Sequence, residues 1–262
     1  MIFYFSATGN TLWAAMQLSE GTQDSMVDMA EAVRQQRYDY VLAPDERIGL
    51  CFPVHGWQLP RLVTQFLQRL HIDTSVSHYT YALVTAGDNI GLTMPLLRKL
   101  LEQKGMALQS TFSLVMPESY VGLPFMDVDP TEKEQAKIAA SNSSLQAWLP
   151  RIAAREEGIS EEVRGRWPWL NTKVIGRFFH RYLISDRKFR VSPDKCLHCG
   201  QCVQACPTHN MQQQDNGLPQ WLHTDGCLTC FACYHHCPTH AIEFGRQTKK
   251  KGQYYFGKNT RH

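Results

Sequence analysis

Eight of the nine cysteines fall after residue 195 and repeat one spacing: Cys196, Cys199, Cys202 and Cys206 before Pro207, then Cys227, Cys230, Cys233 and Cys237 before Pro238. Each run reads Cys-x2-Cys-x2-Cys-x3-Cys-Pro. A cubic iron-sulfur cluster needs four thiolates converging on four irons, and two-residue gaps in a tight loop deliver three of them to one cubane, with the fourth coming from elsewhere in the chain. Structural zinc uses two separated Cys-x2-Cys pairs, so these triplets leave ligands surplus. Disulfides suit an oxidising compartment, yet Met1 runs directly into Ile2-Phe3-Tyr4-Phe5 without the features of a signal peptide. The pattern therefore predicts two 4Fe-4S clusters and a cytoplasmic protein.

The region 191 to 246 resembles the bacterial two-cluster ferredoxins. In them the last cysteine of each run ligates the other cluster. The resemblance implies one cluster on Cys196, Cys199, Cys202 and Cys237, and a second on Cys206, Cys227, Cys230 and Cys233. A long insert, Thr208 to Gly226, separates the two runs and departs from minimal members of that group. A small domain so rich in metal ligands is expected not to fold without iron.

The chain of 262 residues has room for an ordinary domain besides this small one, and 43% hydrophobic residues can supply its core. Charged residues make up 19% with a balance of +3, too little to argue for nucleic acid. No apolar run is long enough to cross a bilayer.

The amino-terminal half alternates strand and helix. Met1 to Phe5 leads into Ser6-Ala7-Thr8-Gly9-Asn10-Thr11 and then a helical pattern. A hydroxyl-rich turn opening a helix is an anion site, because the helix end presents unpaired N–H groups and partial positive charge. Ser6, Thr8, Asn10 and Thr11 add side-chain donors and Gly9 permits close approach. The turn lacks the spaced glycines of a dinucleotide fingerprint and the lysine of a Walker loop. A buried strand, Ile48 to Pro53, opens into Val54-His55-Gly56-Trp57 before an amphipathic helix. A third, Tyr79 to Thr85, ends at Ala86-Gly87-Asp88-Asn89-Ile90-Gly91. A further strand over Gln109 to Met116, a weaker one near Ser25 to Met29 and a polar helix from about Thr131 complete the set.

The turn Ser6 to Thr11 resembles the phosphate loop of flavodoxins, Thr/Ser-x-Thr-Gly-Asn-Thr, whose ligand is FMN. The resemblance implies an α/β fold with a doubly wound parallel sheet in the order 2-1-3-4-5, and a small α+β two-cluster domain attached to it. It places the flavin between Pro53, Val54, His55, Gly56 and Trp57 on one side and Thr85, Ala86, Gly87, Asp88, Asn89 and Gly91 on the other. Trp57 is a candidate to stack on the ring, His55 to meet its edge and Tyr120 to roof it; Asp88 equally suits an Asx turn. No catalytic residue is evident. Cys51 reads as a small buried hydrophobe. His198 and His235, beside the cluster loops, read as surface histidines by default, with hydrogen bonding near sulfur as the other role.

Residues 1–158, 159–190, 191–246 and 247–262 divide naturally into an FMN-binding domain, a basic aromatic linker, the two-cluster domain and a basic tail. Arg164 to Arg190 holds eight arginines or lysines against one acid, Asp186, among Trp167, Trp169, Phe178, Phe179, Tyr182 and Phe189. Docking of an acidic partner, peripheral membrane contact and a linker helix that buries its aromatics all fit; the last is expected. The tail from Lys249 is expected to be mobile and solvated.

As a whole the chain resembles fused flavodoxin-ferredoxin proteins, a group associated with anaerobic bacteria and archaea. That implies an electron carrier passing electrons between the clusters and FMN to redox partner proteins. A flavin-dependent reductase fed through the clusters, with a substrate cavity over residues 117 to 130, and a cluster-dependent sensor or scaffold are the alternatives.

Overall fold

The computed structural model describes residues 1–73 and 76–258. Its centre is a parallel sheet of β1 (Ile2–Tyr4), β2 (Met26–Asp28), β4 (Ile48–Pro53), β6 (Thr80–Ala86), β7 (Ser110–Val115) and β8 (Ser160–Glu161), in the spatial order β2-β1-β4-β6-β7-β8. The first five have the flavodoxin-like 2-1-3-4-5 arrangement expected. Two short strands, β3 (Asp39–Val41) and β5 (His71–Asp73), form a separate parallel pair. Neither that pair nor the sixth strand was anticipated, since two or three residues carry no readable period. β8 continues the sheet into residues assigned to the linker.

The central strands are near-continuous apolar runs because both of their faces are covered. Alternation then sorts the side chains. Phe3, Leu50, Phe52, Ala82 and Val84 meet α2 (Met29–Arg34), α3 (Arg61–Arg69) and α4 (Thr93–Glu102), whereas Ile2, Cys51, Tyr81, Leu83 and Phe112 meet α1 (Asn10–Thr22) and α5 (Thr131–Ala153). In α3 the buried residues Leu62, Val63, Phe66 and Leu67 give the three- and four-residue spacing of one helical stripe. Cys51 is fully buried, and burial drives its thiol pKa far upward, as suits an inert core residue.

Tyr81 carries a flaw of this core. Its ring is fully buried against Gly49, and its hydroxyl has no hydrogen-bond partner among the described residues. An orphaned buried hydroxyl costs on the order of 1–3 kcal/mol. Tyr81→Phe is therefore expected to raise the urea midpoint of unfolding by about 1 kcal/mol of stability; a lower midpoint would show that the hydroxyl is satisfied.

A helical linker starts as α6 (Pro168–Leu170) and continues, wound wide, over Asn171–Gly176 and Phe179–Leu183. It does not bury its aromatics as expected: Trp167, Trp169, Phe178 and Tyr182 are 55 to 63% exposed, and of the helix's phenyl, phenol and indole rings only Phe179 turns inward. The protein-facing side is made of small residues, Thr172 and Gly176, so the helix lies too close for other rings to fit beneath it.

The cysteine-rich part comprises β9 (Phe189–Val191), α7 (Gln201–Gln204), β10 (Met211–Gln213), β11 (Pro219–Trp221), α8 (Ala232–His235) and β12 (Ile242–Phe244). β9 pairs antiparallel with β12, and the insert between the cysteine runs forms the β10–β11 hairpin. The insert thus acquires a use. Trp221 stacks on Phe189 at 5.3 Å, and Phe189 touches Phe231 and Phe244 in a small aromatic core.

The tail also departs from expectation. Residues 247–258 fold back across the molecule, with Tyr254 buried; residues 259–262 lie outside the described residues. The Lys251 ammonium reaches the carbonyls of Val121, Leu123 and Met126, and the Tyr254 hydroxyl donates to Asn10 Oδ1 at 2.5 Å. A buried ring and three carbonyls seeking a donor outweigh the solubility of the lysines around them.

Candidate functional site

Each cysteine run is held by backbone conformations that recur at matching positions. The second residue after the first cysteine is left-handed in both, His198 at φ 55° and Thr229 at φ 50°. So is the residue after the second cysteine, Gly200 at 71° and Phe231 at 61°, and the third after the last, His209 at 50° and His240 at 52°. Side chains rarely take these angles, so their recurrence marks loops wound around something that dictates their path. Phe231 holds its angle because its buried ring packs on Tyr120, Phe189 and Phe244.

These loops bring the cysteines together across the two runs. One cavity is lined by Cys196, Cys199, Cys202 and Cys237, and by Gln213, Gly217 and Pro219 of the hairpin. Cys206 lies close enough to Cys227, Cys230 and Cys233 to perturb all three electrostatically. Burial pushes the thiols of Cys202 and Cys227 up to about 11 and Cys230 to about 12. Without a cation no thiolate would persist there, so the donor set suits an iron centre that supplies the missing positive charge. Backbone N–H groups already aim at sulfur: Asn210 at Cys206 Sγ (3.3 Å), Thr229 at Cys227 Sγ (3.3 Å) and Ala241 at Cys237 Sγ (3.2 Å). Such bonds orient and stabilise sulfur ligands. His198 sits under Gly217, its carbonyl accepting from Gln213 Nε2 at 2.8 Å.

The three sheet loops also meet, at the carboxyl ends of β1, β4 and β6. Val54 N donates to Thr85 O at 2.8 Å, and the hydroxyls of Thr11 and Thr85 share a hydrogen bond of 2.7 Å. Gly9 at φ 92° turns the chain into α1, whose amino end receives no side-chain cap, leaving its N–H groups to an anion. The side-chain donors have other tasks. Thr8 Oγ1 donates to Ser119 Oγ (3.3 Å), and Asn10 donates from Nδ2 to Pro117 O (3.0 Å) while accepting from Tyr254. A phosphate would therefore rest on backbone N–H groups and Ser6 more than on those side chains.

Around the second and third loops the fit is tighter than sequence suggested. Trp57, left-handed at φ 57°, packs on Gly91, and Phe179 of the linker covers Gly56. His55, hemmed by Phe5, is held neutral by burial, its pKa lowered to about 3. Asn89 donates from Nδ2 to Asp88 at 2.9 Å, but its Oδ1 is buried without a partner among the described residues. It lies against Gly165 at the start of the linker. The uncapped amino end of α1 suits a flavin phosphate, while Gly9 is covered by Phe256.

Sequence reasoning missed two residues here. Glu118 sits against Gly87, accepting from Ser119 N (2.9 Å) and Tyr120 N (2.8 Å), and burial raises its pKa. Nothing in an irregular Met116-Pro117-Glu118-Ser119 stretch signals an inward carboxylate. A raised folded pKa means the ionised form costs stability at neutral pH and none once both states are protonated. Glu118→Gln keeps an acceptor for both N–H groups, so it is expected to stabilise the protein at pH 7.5 by about 1 kcal/mol and to do nothing in acid. Urea unfolding at the two pH values checks this, and an equal effect at both would refute it.

The second is His235, expected at the surface and found 1% exposed. Its Nε2 is 2.7 Å from Ser119 O and its Nδ1 is 3.1 Å from Tyr254 N. A carbonyl only accepts and a backbone N–H only donates, so the ring is the neutral tautomer with its proton on Nε2. One side chain from the second cysteine run thus grips both the segment over the phosphate loop and the tail that locks it.

A family model described as a 4Fe-4S dicluster domain matches residues 188–238. A second of the same description matches residues 157–210, reaching back through the linker. No curated protein matches the chain. Among solved structures, a putative flavoprotein from Bacteroides uniformis is 17% identical over 44% of this chain and 88% of its own, with a TM-score of 0.31. A flavodoxin from Streptococcus pneumonia is 14% identical over 56% and 96%, with a TM-score of 0.31. Rubredoxin oxygen:oxidoreductase from Desulfovibrio gigas is 15% identical over 56% and 36%, with a TM-score of 0.30. The strand order and the dicluster match together show a flavodoxin-like α/β sheet fused to a 4Fe-4S dicluster ferredoxin domain.

Proposed function

We propose that this protein passes electrons between two 4Fe-4S clusters and a bound FMN, linking one-electron and two-electron redox partner proteins. The observation that carries the reading is the direct hydrogen-bonded seam from the second cysteine run to the phosphate loop: His235 to Ser119, Ser119 to Thr8, and Tyr254 from His235 to Asn10. So short a seam between the two proposed sites supports charge exchange between them.

Cys196, Cys199, Cys202 and Cys237 would hold one cluster, and Cys206, Cys227, Cys230 and Cys233 the other. FMN, when bound, supplies a carrier of either one or two electrons. The α1 amino end and Ser6 would receive its phosphate, and the loops Pro53 to Trp57 and Thr85 to Gly91 would flank its ring.

The reductase alternative needs residues 117 to 130 to enclose a substrate cavity. That segment is engaged elsewhere: Tyr120 packs on Phe179 and Phe231, and Lys251 pins three of its carbonyls. This supports the carrier.

Anaerobic redox titration of freshly purified protein, following flavin absorbance and cluster EPR against iron and FMN content, tests the proposal. Two clusters and one FMN in mutual equilibrium are expected. Clusters without FMN, or a flavin that never equilibrates with them, would overturn it in favour of a scaffold or sensor.

A further inference from the structure

The linker helix has two well-separated faces. Its inner face is fixed by specific bonds: Leu92 N donates to Thr172 Oγ1 (2.8 Å), Gln58 Nε2 to Thr172 O (2.9 Å) and His180 Nε2 to His55 O (2.8 Å). That orientation leaves Leu170, Val174, Phe178 and Tyr182 in a line on the outside, four residues apart and 44, 48, 55 and 63% exposed. Trp167 and Trp169 extend the line at its start, at 59 and 63%. A contiguous apolar face of this kind on a soluble domain marks a binding surface.

Its flank is cationic at the same spacing. Lys173, Arg177 and Arg181 each precede a residue of the apolar line by one position, and all three are exposed. Asp186, the one acid from Arg164 to Arg190, is buried and committed to Asn210 and His223, so it neutralises none of them.

We propose that this face is an anchor for anionic phospholipid bilayers, the helix lying in the headgroup plane with Trp167, Trp169 and Phe178 inserted and Lys173, Arg177 and Arg181 on lipid phosphates. Indole and phenol rings settle at the headgroup level, aliphatic side chains just below it, and long cationic stems bend back to phosphate. An acidic protein would satisfy the three cations but would also have to bring an apolar counterpart to the whole outer line. A bilayer surface offers both in the right order of depth. No helix among the described residues is long and apolar enough to cross a membrane, so the contact is peripheral. It also sits on the outer side of the loops carrying His55, Gln58 and Leu92, so anchoring would hold the proposed flavin end of the protein at the lipid surface.

The test is anaerobic co-sedimentation of the holoprotein with phosphatidylcholine vesicles, with and without phosphatidylglycerol, alongside tryptophan quenching by brominated lipid. Binding is expected only to the anionic vesicles, with quenching and with weakening by salt. Arg177→Gln with Arg181→Gln should reduce partitioning about thirtyfold, and Phe178→Ser about tenfold; both variants should keep the visible absorbance of the clusters. No preference for anionic vesicles would overturn the proposal. So would binding without tryptophan quenching, or a vesicle-free dimer that Phe178→Ser dissociates, since a second copy would then be covering the face.

Discussion

Replacing Cys237 by serine is expected to cost the protein the cluster of the other cysteine run. The cavity that Cys237 lines is shared with Cys196, Cys199 and Cys202, while its own neighbours Cys227, Cys230 and Cys233 face Cys206. Pairs of substitutions make the assignment decisive. Cys237→Ser combined with Cys199→Ser should lose no more iron than either alone, because both act on one cluster. Cys237→Ser combined with Cys230→Ser should lose nearly all of it. Iron analysis and EPR of anaerobically purified variants read the difference directly. The reverse pattern would mean that each run holds its own cluster, and the crossed arrangement of the two loops would have to be abandoned.

The second large effect concerns the tail. Tyr254 is 3% exposed, receives its position from His235 through its backbone N–H, and spends its hydroxyl on Asn10. Phe256 follows it onto the phosphate loop: its N–H donates to Thr8 O at 2.8 Å, its ring stacks on Trp13 at 5.4 Å, and a Cβ on Gly9 would meet its own Cβ at 2.9 Å. Tyr254→Ala is expected to lower stability by about 3 kcal/mol, as for other buried aromatics cut to alanine. Tyr254→Phe, which keeps the ring and leaves Asn10 Oδ1 short of a donor, should lose about 1 kcal/mol. Urea unfolding of the holoprotein followed by tryptophan emission measures both. Should Tyr254→Ala unfold at the wild-type midpoint, the tail is a passenger and the seam between the two halves rests on His235 and Ser119 alone.

What could be read from sequence was what repeats or has a period. The cysteine spacing is a ligand geometry written in the chain, and Ile48 to Pro53 or Leu62 to Leu67 are long enough to show their burial. The strand order followed from the resemblance those elements support. The tail was misread because Lys249-Lys250-Lys251 dominates its composition, whereas its structure depends on Tyr254 and Phe256 finding partners some 250 positions away in sequence. The linker was misread for a related reason. Its aromatics predict packing, and only the approach distance imposed by Gly176 and Thr172 decides that they face outward. Glu118 and His235 show the same limit at single residues, since a charge or an imidazole in an irregular segment carries no mark of the carbonyls and N–H groups that will enclose it.

The bond between Tyr254 and Asn10 joins residues 244 positions apart. During synthesis the sheet loops leave the ribosome long before the segment that covers them has been made. Until that segment arrives, the amino end of α1 is without the cover that Tyr254 and Phe256 give it. Once the cysteine-rich part has acquired iron and settled, His235 can position Tyr254 and the loop is shut. A cofactor held at that helix end would therefore have to enter before the closure. A protein that closed first would have to release Tyr254 from Asn10 and Phe256 from Thr8 before anything could enter there.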